Sequence, residues 1–233
     1  MRNNLLWLLA ILYVVSSCTV DENYTIKNDF SGSCKVDVNL AGYLANISEF
    51  DALTAVQDTI SLEAKKQVAY LSKQNGVTAP SFVFDKDNGL FSLNFGFKNL
   101  DNLTALVKKA NADGRLVFEE PNIETDADND VSETDDVSDL DQDVTVQENP
   151  MGYVFAKTGS KQFTFTLANA PDQDALDVAM STDVYSYKLT FKFESKILKV
   201  SHTAAEIAAD GKSFSIMKKE LFTPQNMIVV DLQ

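Results

Sequence analysis

The sequence predicts an α+β domain: one antiparallel or barrel-like sheet with two main helices packed on one face, and an acidic flexible segment. Three observations predict it. Large apolar side chains alternate with polar ones in several short runs, the period of strands with one buried face. Two longer stretches repeat apolar residues at spacings of three and four, the period of an amphipathic helix. The order is strand, helix, hairpin, helix, acidic segment and then mostly strands. Such grouping suits helices on one face of an antiparallel sheet better than a regular βαβ alternation.

The strands follow from their alternation. Val36, Val38 and Leu40 alternate with Asp37 and Asn39, and Phe91, Leu93, Phe95 and Phe97 with Ser92, Asn94 and Gly96. Phe163, Phe165 and Leu167 alternate with Thr164 and Thr166, and Tyr187, Leu189, Phe191 and Phe193 with Lys188, Thr190 and Lys192. Turn residues separate such runs: Asp87-Asn88-Gly89 after the 81–85 run, Thr158-Gly159-Ser160-Lys161 between 152–157 and 162–168, and Asp210-Gly211-Lys212 before Ser213 to Met217. Ile197 to Val200 is a further strand, and Ile228, Val230 and Leu232 close the chain as the last.

The first helix is expected to start at a capping-box-like Ser48 and Asp51. It carries Leu53, Val56, Ile60, Ala64, Val68 and Leu71 inward and stops at Asn75-Gly76. The second spans Leu100 to Ala112, with Leu103, Leu106 and Val107 inward and Asp113-Gly114 as its stop. A short third is expected from Asp172 to Met180.

Charge divides the chain. Of its 34 acidic residues, 13 lie between Glu119 and Glu148, where there is no Lys or Arg; the other 21 nearly balance 20 basic residues. The 119–150 stretch is therefore expected to be an acidic linker or loop, because like charges repel and it offers little apolar surface to bury. A net charge of −14 argues against a nucleic-acid partner.

The N-terminus carries a targeting pattern. Arg2 precedes an apolar run of 11 residues, Leu5 to Val15, shorter than the roughly 20 a membrane-spanning helix needs. Val15-Ser16-Ser17-Cys18 follows and resembles the lipobox of bacterial lipoproteins. The resemblance implies cleavage before Cys18, acylation of that cysteine, and attachment to a membrane through its acyl chains, with palmitate among the acyl groups. Several chains anchor stably because each buried CH₂ contributes about 0.8 kcal/mol. Thr19, where Asp would signal inner-membrane retention, favours the outer membrane of a Gram-negative cell envelope. Asp21 and Glu22 loosely resemble the acidic surface-export signal of Bacteroidota lipoproteins, with a solvated acidic tether as the alternative. Residues 18–30 are read as that tether; Thr19 to Phe30 would span on the order of 20 Å. The division expected is thus 1–17 signal peptide, 18–30 tether, 31–118 the strand-helix-hairpin-helix part, 119–150 acidic linker or loop, and 151–233 a mainly β part.

Few residues suggest chemistry. Asp126, Asp128 and Asp130 alternate as in a calcium loop, but Val131 and Val137 stand where Gly and Glu are required. His202 is the single histidine, and no HExxH, GxSxG, CxxC or GxxxxGK[ST] motif occurs. It reads as a polar residue following a strand. Cys34, lone once Cys18 is acylated, reads as a half-buried structural thiol. The 15 Phe and 7 Tyr fill an ordinary core, or line a cavity for an apolar ligand. No catalytic, metal or cofactor residues are assigned. The role expected is non-catalytic binding of a protein, glycan or lipid ligand; the alternative is a carboxylate-dependent hydrolase acting on envelope glycans, which would need two facing carboxylates roughly 5–10 Å apart.

One further resemblance covers roughly 50 residues: Tyr185 to Phe191, Ile197 to Ser201 and Ala208 to Phe214 look like a pattern in uncharacterised Bacteroidota lipoproteins and, more distantly, the mycobacterial LppM-like family. There an aromatic-rich strand leads to an Ile-x-x-Val strand and an Asp-Gly-Lys hairpin. Members often have Pro after the first strand's Phe, where this chain has Glu194. The resemblance implies a lipid-anchored α+β domain and, for some relatives, glycolipid binding; it carries over no functional residue.

Overall fold

The computed structural model describes residues 18–45, 47, 50–112, 152–168, 185–222 and 225–233. The acidic 119–150 segment, the expected third helix and the cap residue Ser48 lie outside the described residues. The elements are β1 (Cys18–Ile26), β2 (Gly32–Asn39), α1 (Ala41–Ala45), α2 (Phe50–Leu71), β3 (Val77–Asp85), β4 (Leu90–Phe97), α3 (Leu100–Ala112), β5 (Gly152–Lys157), β6 (Gln162–Ala168), β7 (Tyr185–Phe193), β8 (Ile197–Val200), β9 (Glu206–Ile207), β10 (Ser213–Met217), a 3-10 helix (Lys218–Phe222) and β11 (Met227–Leu232).

The fold is α+β, as its patterning predicts, but the described residues form two sheets and no closed barrel. The larger sheet runs β3-β4-β2-β1-β7-β10-β9 and the smaller β5-β6-β11-β8. Among the described residues all pairings are antiparallel save one: β1 lies parallel to β7 across the middle of the larger sheet. The mainly β 151–233 part supplies β7, β9 and β10 to the same sheet as β1–β4, so the two parts share one sheet.

The expected tether is the main correction. Cys18 to Ile26 is a strand, bonded along its length to β2 on one side and β7 on the other. Val20, Tyr24 and Ile26 point into the core, and Asp21, Asn23 and Thr25 face outward. The alternation is as regular as in the other strands, but Glu22 occupies an inward position and hides it.

The outer face of the larger sheet is wet. Lys35 pairs with Asp37 at 2.7 Å, and Ser92 donates to Asp37. Lys188 and Lys192 are exposed, while Leu189, Phe191 and Phe193 between and beside them are buried. On the inner face Phe191 stacks on Tyr24 and on Phe214, with centroids 5.0 Å away in each case, and meets Phe163 and Phe165 of the smaller sheet at 5.6 and 5.1 Å. Offset and tilted aromatic pairs of this kind add about 0.5–1.5 kcal/mol each beyond their buried area. The aromatic residues therefore join the two sheets into one core.

The helices continue the inner layer. Thr104 of α3 holds the edge strand β5: its Oγ1 accepts from Phe155 N at 2.8 Å and donates to Phe155 O at 2.9 Å. Leu103, Leu106 and Val107 are buried, as their spacing predicts. In α2, Ala64 and Leu71 are buried and Leu53, Val56, Ile60 and Val68 only half-buried, so its C-terminal half is the better packed. It ends ahead of Gly76, whose φ of +77° is a left-handed conformation that favours glycine. At Gly32 a Cβ would lie 2.0 Å from the Thr25 carbonyl oxygen, so the β1–β2 pairing requires glycine there.

Candidate functional site

Glu22 sits in the middle of β1, level with Val36 on β2 and Leu189 on β7. Strand periodicity forces its side chain inward with Val20 and Tyr24, and it is 0% exposed. Burying an ionised carboxylate among apolar neighbours is costly unless hydrogen bonds and a counter-charge compensate. Both are present. The Tyr24 hydroxyl, two residues along the same face, donates to Oε2 at 2.8 Å, and the Tyr187 hydroxyl of β7 donates to Oε1. Lys218, the first residue of the 3-10 helix after β10, is buried with its ammonium 4.2 Å from the Tyr187 ring centre and 5.6 Å from that of Tyr153.

The balance of these effects sets the charge. Burial pushes the Glu22 pKa up to about 7, while the bond from Tyr187, the Lys218 charge and the bond from Tyr24 pull it back. Burial also raises Tyr24 and Tyr187 well above the ordinary phenol value, and the Glu22 charge adds to this in both. The tyrosines thus stay protonated as donors while the carboxylate changes charge near neutrality. The cluster is an internal acid that couples three strands and the 3-10 helix, and its carboxylate faces protein on all sides.

Residues singled out in the sequence fall elsewhere. Cys18 is the first residue of β1, beside Tyr185 of β7. Cys34 is buried rather than half-buried, level with Tyr24, and burial pushes its thiol well above the ordinary value, the opposite of an activated nucleophile. His202 follows β8 as expected but is buried, and its Nδ1 accepts from Ala204 N at 3.2 Å. The three aspartates of the calcium-like run lie outside the described residues. Among the described residues no group of three His, Cys, Asp or Glu side chains is placed to hold a metal ion.

Sequence pattern marks Glu22 only as one of an acidic, export-signal-like pair and not as a buried acid. Its acidic neighbour Asp21 makes the stretch look solvated, and only the alternation of Val20, Tyr24 and Ile26 around it marks an inward-facing acid.

No protein-family model matches the chain, and no curated protein matches it. Among solved structures, the NMR structure of the folded domain of LppM from Mycobacterium tuberculosis is similar over 93% of this chain and 89% of that one, with a TM-score of 0.42 and 11% identity. Among the described residues no helix is long and apolar enough to cross a membrane.

Proposed function

We propose that this chain is a lipid-anchored protein of the bacterial cell envelope, cut before Cys18 and held on the membrane by acyl chains on that cysteine, and that its folded body has a binding role and not a catalytic one. The observation that carries the reading is where the lipobox-like Val15-Ser16-Ser17-Cys18 meets the fold. Cys18 is the first residue of β1, a strand paired on both sides. Cleavage before it removes a signal-like segment and leaves every strand of the described residues whole. Thr19 after the cysteine favours the outer membrane. Of the acidic pair that resembles a surface-export signal, Glu22 is taken up by the core and Asp21 by the wet face of the sheet.

The buried acid itself is not a candidate for catalysis. A catalytic carboxylate must reach the substrate, whereas Glu22 is enclosed and bonded to two tyrosines. A protein, glycan or lipid ligand is the partner class, met by the surface of the body. The test of the anchor is metabolic labelling with a palmitate analogue. Cys18→Ala should lose all label and leave the membrane fraction; undiminished labelling of the variant would refute attachment at Cys18.

A further inference from the structure

We propose that the end of the larger sheet carrying Cys18 lies directly against the bilayer, and that Phe50 at the tip of α2 and Leu90 at the β3–β4 turn form a second, apolar contact with the lipid. The inference rests on acylation of Cys18.

The first observation is the lack of slack. Cys18 is already in register with Tyr185, and Thr19 with Asn39 on one side and Ser186 on the other. A chain spans at most about 3.3–3.6 Å per residue, and no residue separates the acylated cysteine from the sheet. The sheet end therefore stays at the headgroup layer, and whatever else that end displays meets lipid.

The second observation is what it displays. The register runs from Thr19 to Asn39, from Asn39 to Leu90 and from Leu90 to Asp85, so the β3–β4 turn is at the Cys18 end. Leu90 is 46% exposed there. Helix α2 runs antiparallel to β3. Beside this turn, Gln57 Nε2 donates to Lys86 O at 3.2 Å, and Lys86 reaches Asp58 at 2.8 Å. At the other end Val77 N donates to Gln74 O. Residues 50–56 therefore continue past the turn, about 10 Å along the helix axis at 1.5 Å per residue. At their tip Phe50 is 79% exposed.

An aromatic ring carried that far past the sheet end reaches the roughly 5–10 Å at which interfacial helices bury their apolar face. Lys86 and Asp58 beneath it neutralise one another, Asp85 and Asp87 of the turn add negative charge, and together with the chain's overall negative charge they are repelled by anionic headgroups. The surface therefore fits a zwitterionic bilayer.

The chain offers a clean probe. Its one tryptophan, Trp7, is removed by cleavage before Cys18. Phe50→Trp then gives the mature lipidated protein a single tryptophan. Ile207→Trp is the counterpart at a distance: Ile207 is half-exposed on β9, level through Phe214 and Phe191 with Tyr24, six residues or about 20 Å along the sheet from Cys18. Both proteins are placed in phosphatidylcholine vesicles whose acyl chains are brominated near the headgroup. Tryptophan emission of the Phe50→Trp protein should be quenched and blue-shifted, and that of the Ile207→Trp protein unchanged. Flotation with the vesicles but no quenching in the Phe50→Trp protein, or equal quenching in both, would overturn the orientation and leave the anchor standing. Failure of the protein to float would overturn the anchor and the orientation together.

Discussion

Replacing Glu22 with Gln should remove a pH dependence built into the core. The carboxyl has a pKa of about 7 in the folded protein against an ordinary 4.5. At 1.36 kcal/mol per unit, that difference is worth about 3 kcal/mol of stability. The sign follows from proton binding. The folded state holds the Glu22 proton more tightly than the unfolded chain does, so this contribution is fully present below the unfolded value near 4.5. It is lost progressively as pH rises, and is gone above about 7. Gln has nearly the same shape and offers one acceptor and one donating group to the two tyrosines, but it cannot ionise. Asp29 and Asp85 behave oppositely: bonds from Ser31 and Asn88 hold them below the usual carboxylate range, and their contribution is lost as pH falls. They are common to both proteins and cancel in the difference. Urea unfolding of the chain from residue 18, with Cys18→Ser in both, gives the test. The stability of the Gln variant relative to the parent should rise by about 3 kcal/mol between the two pKa values. Parallel stability curves for the two proteins would refute the reasoning, because they would mean that Glu22 takes up no extra proton on folding.

Three further outcomes are expected in the same assay. Lys218→Met should move the fall in stability to higher pH, since the Lys218 charge lowers the Glu22 pKa; a shift to lower pH would place the ammonium elsewhere. Phe191→Ala should cost roughly 3–5 kcal/mol, because the ring is 0% exposed and meets four other rings, whereas Lys192→Ala on the wet face should stay within about 0.5 kcal/mol. Equal costs would contradict the period-two strand. Thr104→Val should cost about 1–3 kcal/mol by leaving the buried Phe155 main chain without its two bonds, and should raise amide exchange of β5 first.

Much of the fold was legible wherever one face of an element is uniformly apolar. The Tyr187-to-Phe193 and Phe91-to-Phe97 runs contain no inward polar residue, and period two identified them as strands. Leu103, Leu106 and Val107 marked the buried side of α3 in the same way. The tether reading of 18–30 failed because β1 breaks that rule at one position: Glu22 faces inward and depends on Tyr187 and Lys218, both more than 160 residues away in sequence. No local pattern announces a partner at that distance. The parallel pairing of β1 with β7 is hidden for the same reason. The half-buried N-terminal part of α2 has helical spacing like the rest, and only its position past the sheet end shows that the periodic face there outruns its support.

The most direct measurement is the intact mass and N-terminal identity of the mature protein extracted from cell envelopes. Attachment at Cys18 predicts a chain beginning at Cys18 whose mass exceeds that of residues 18–233 by a diacylglyceryl group, with or without a further acyl chain. A mature chain beginning elsewhere, or one beginning at Cys18 with no added mass, would contradict the anchor, the direct contact of the sheet with the bilayer, and the function proposed for the protein.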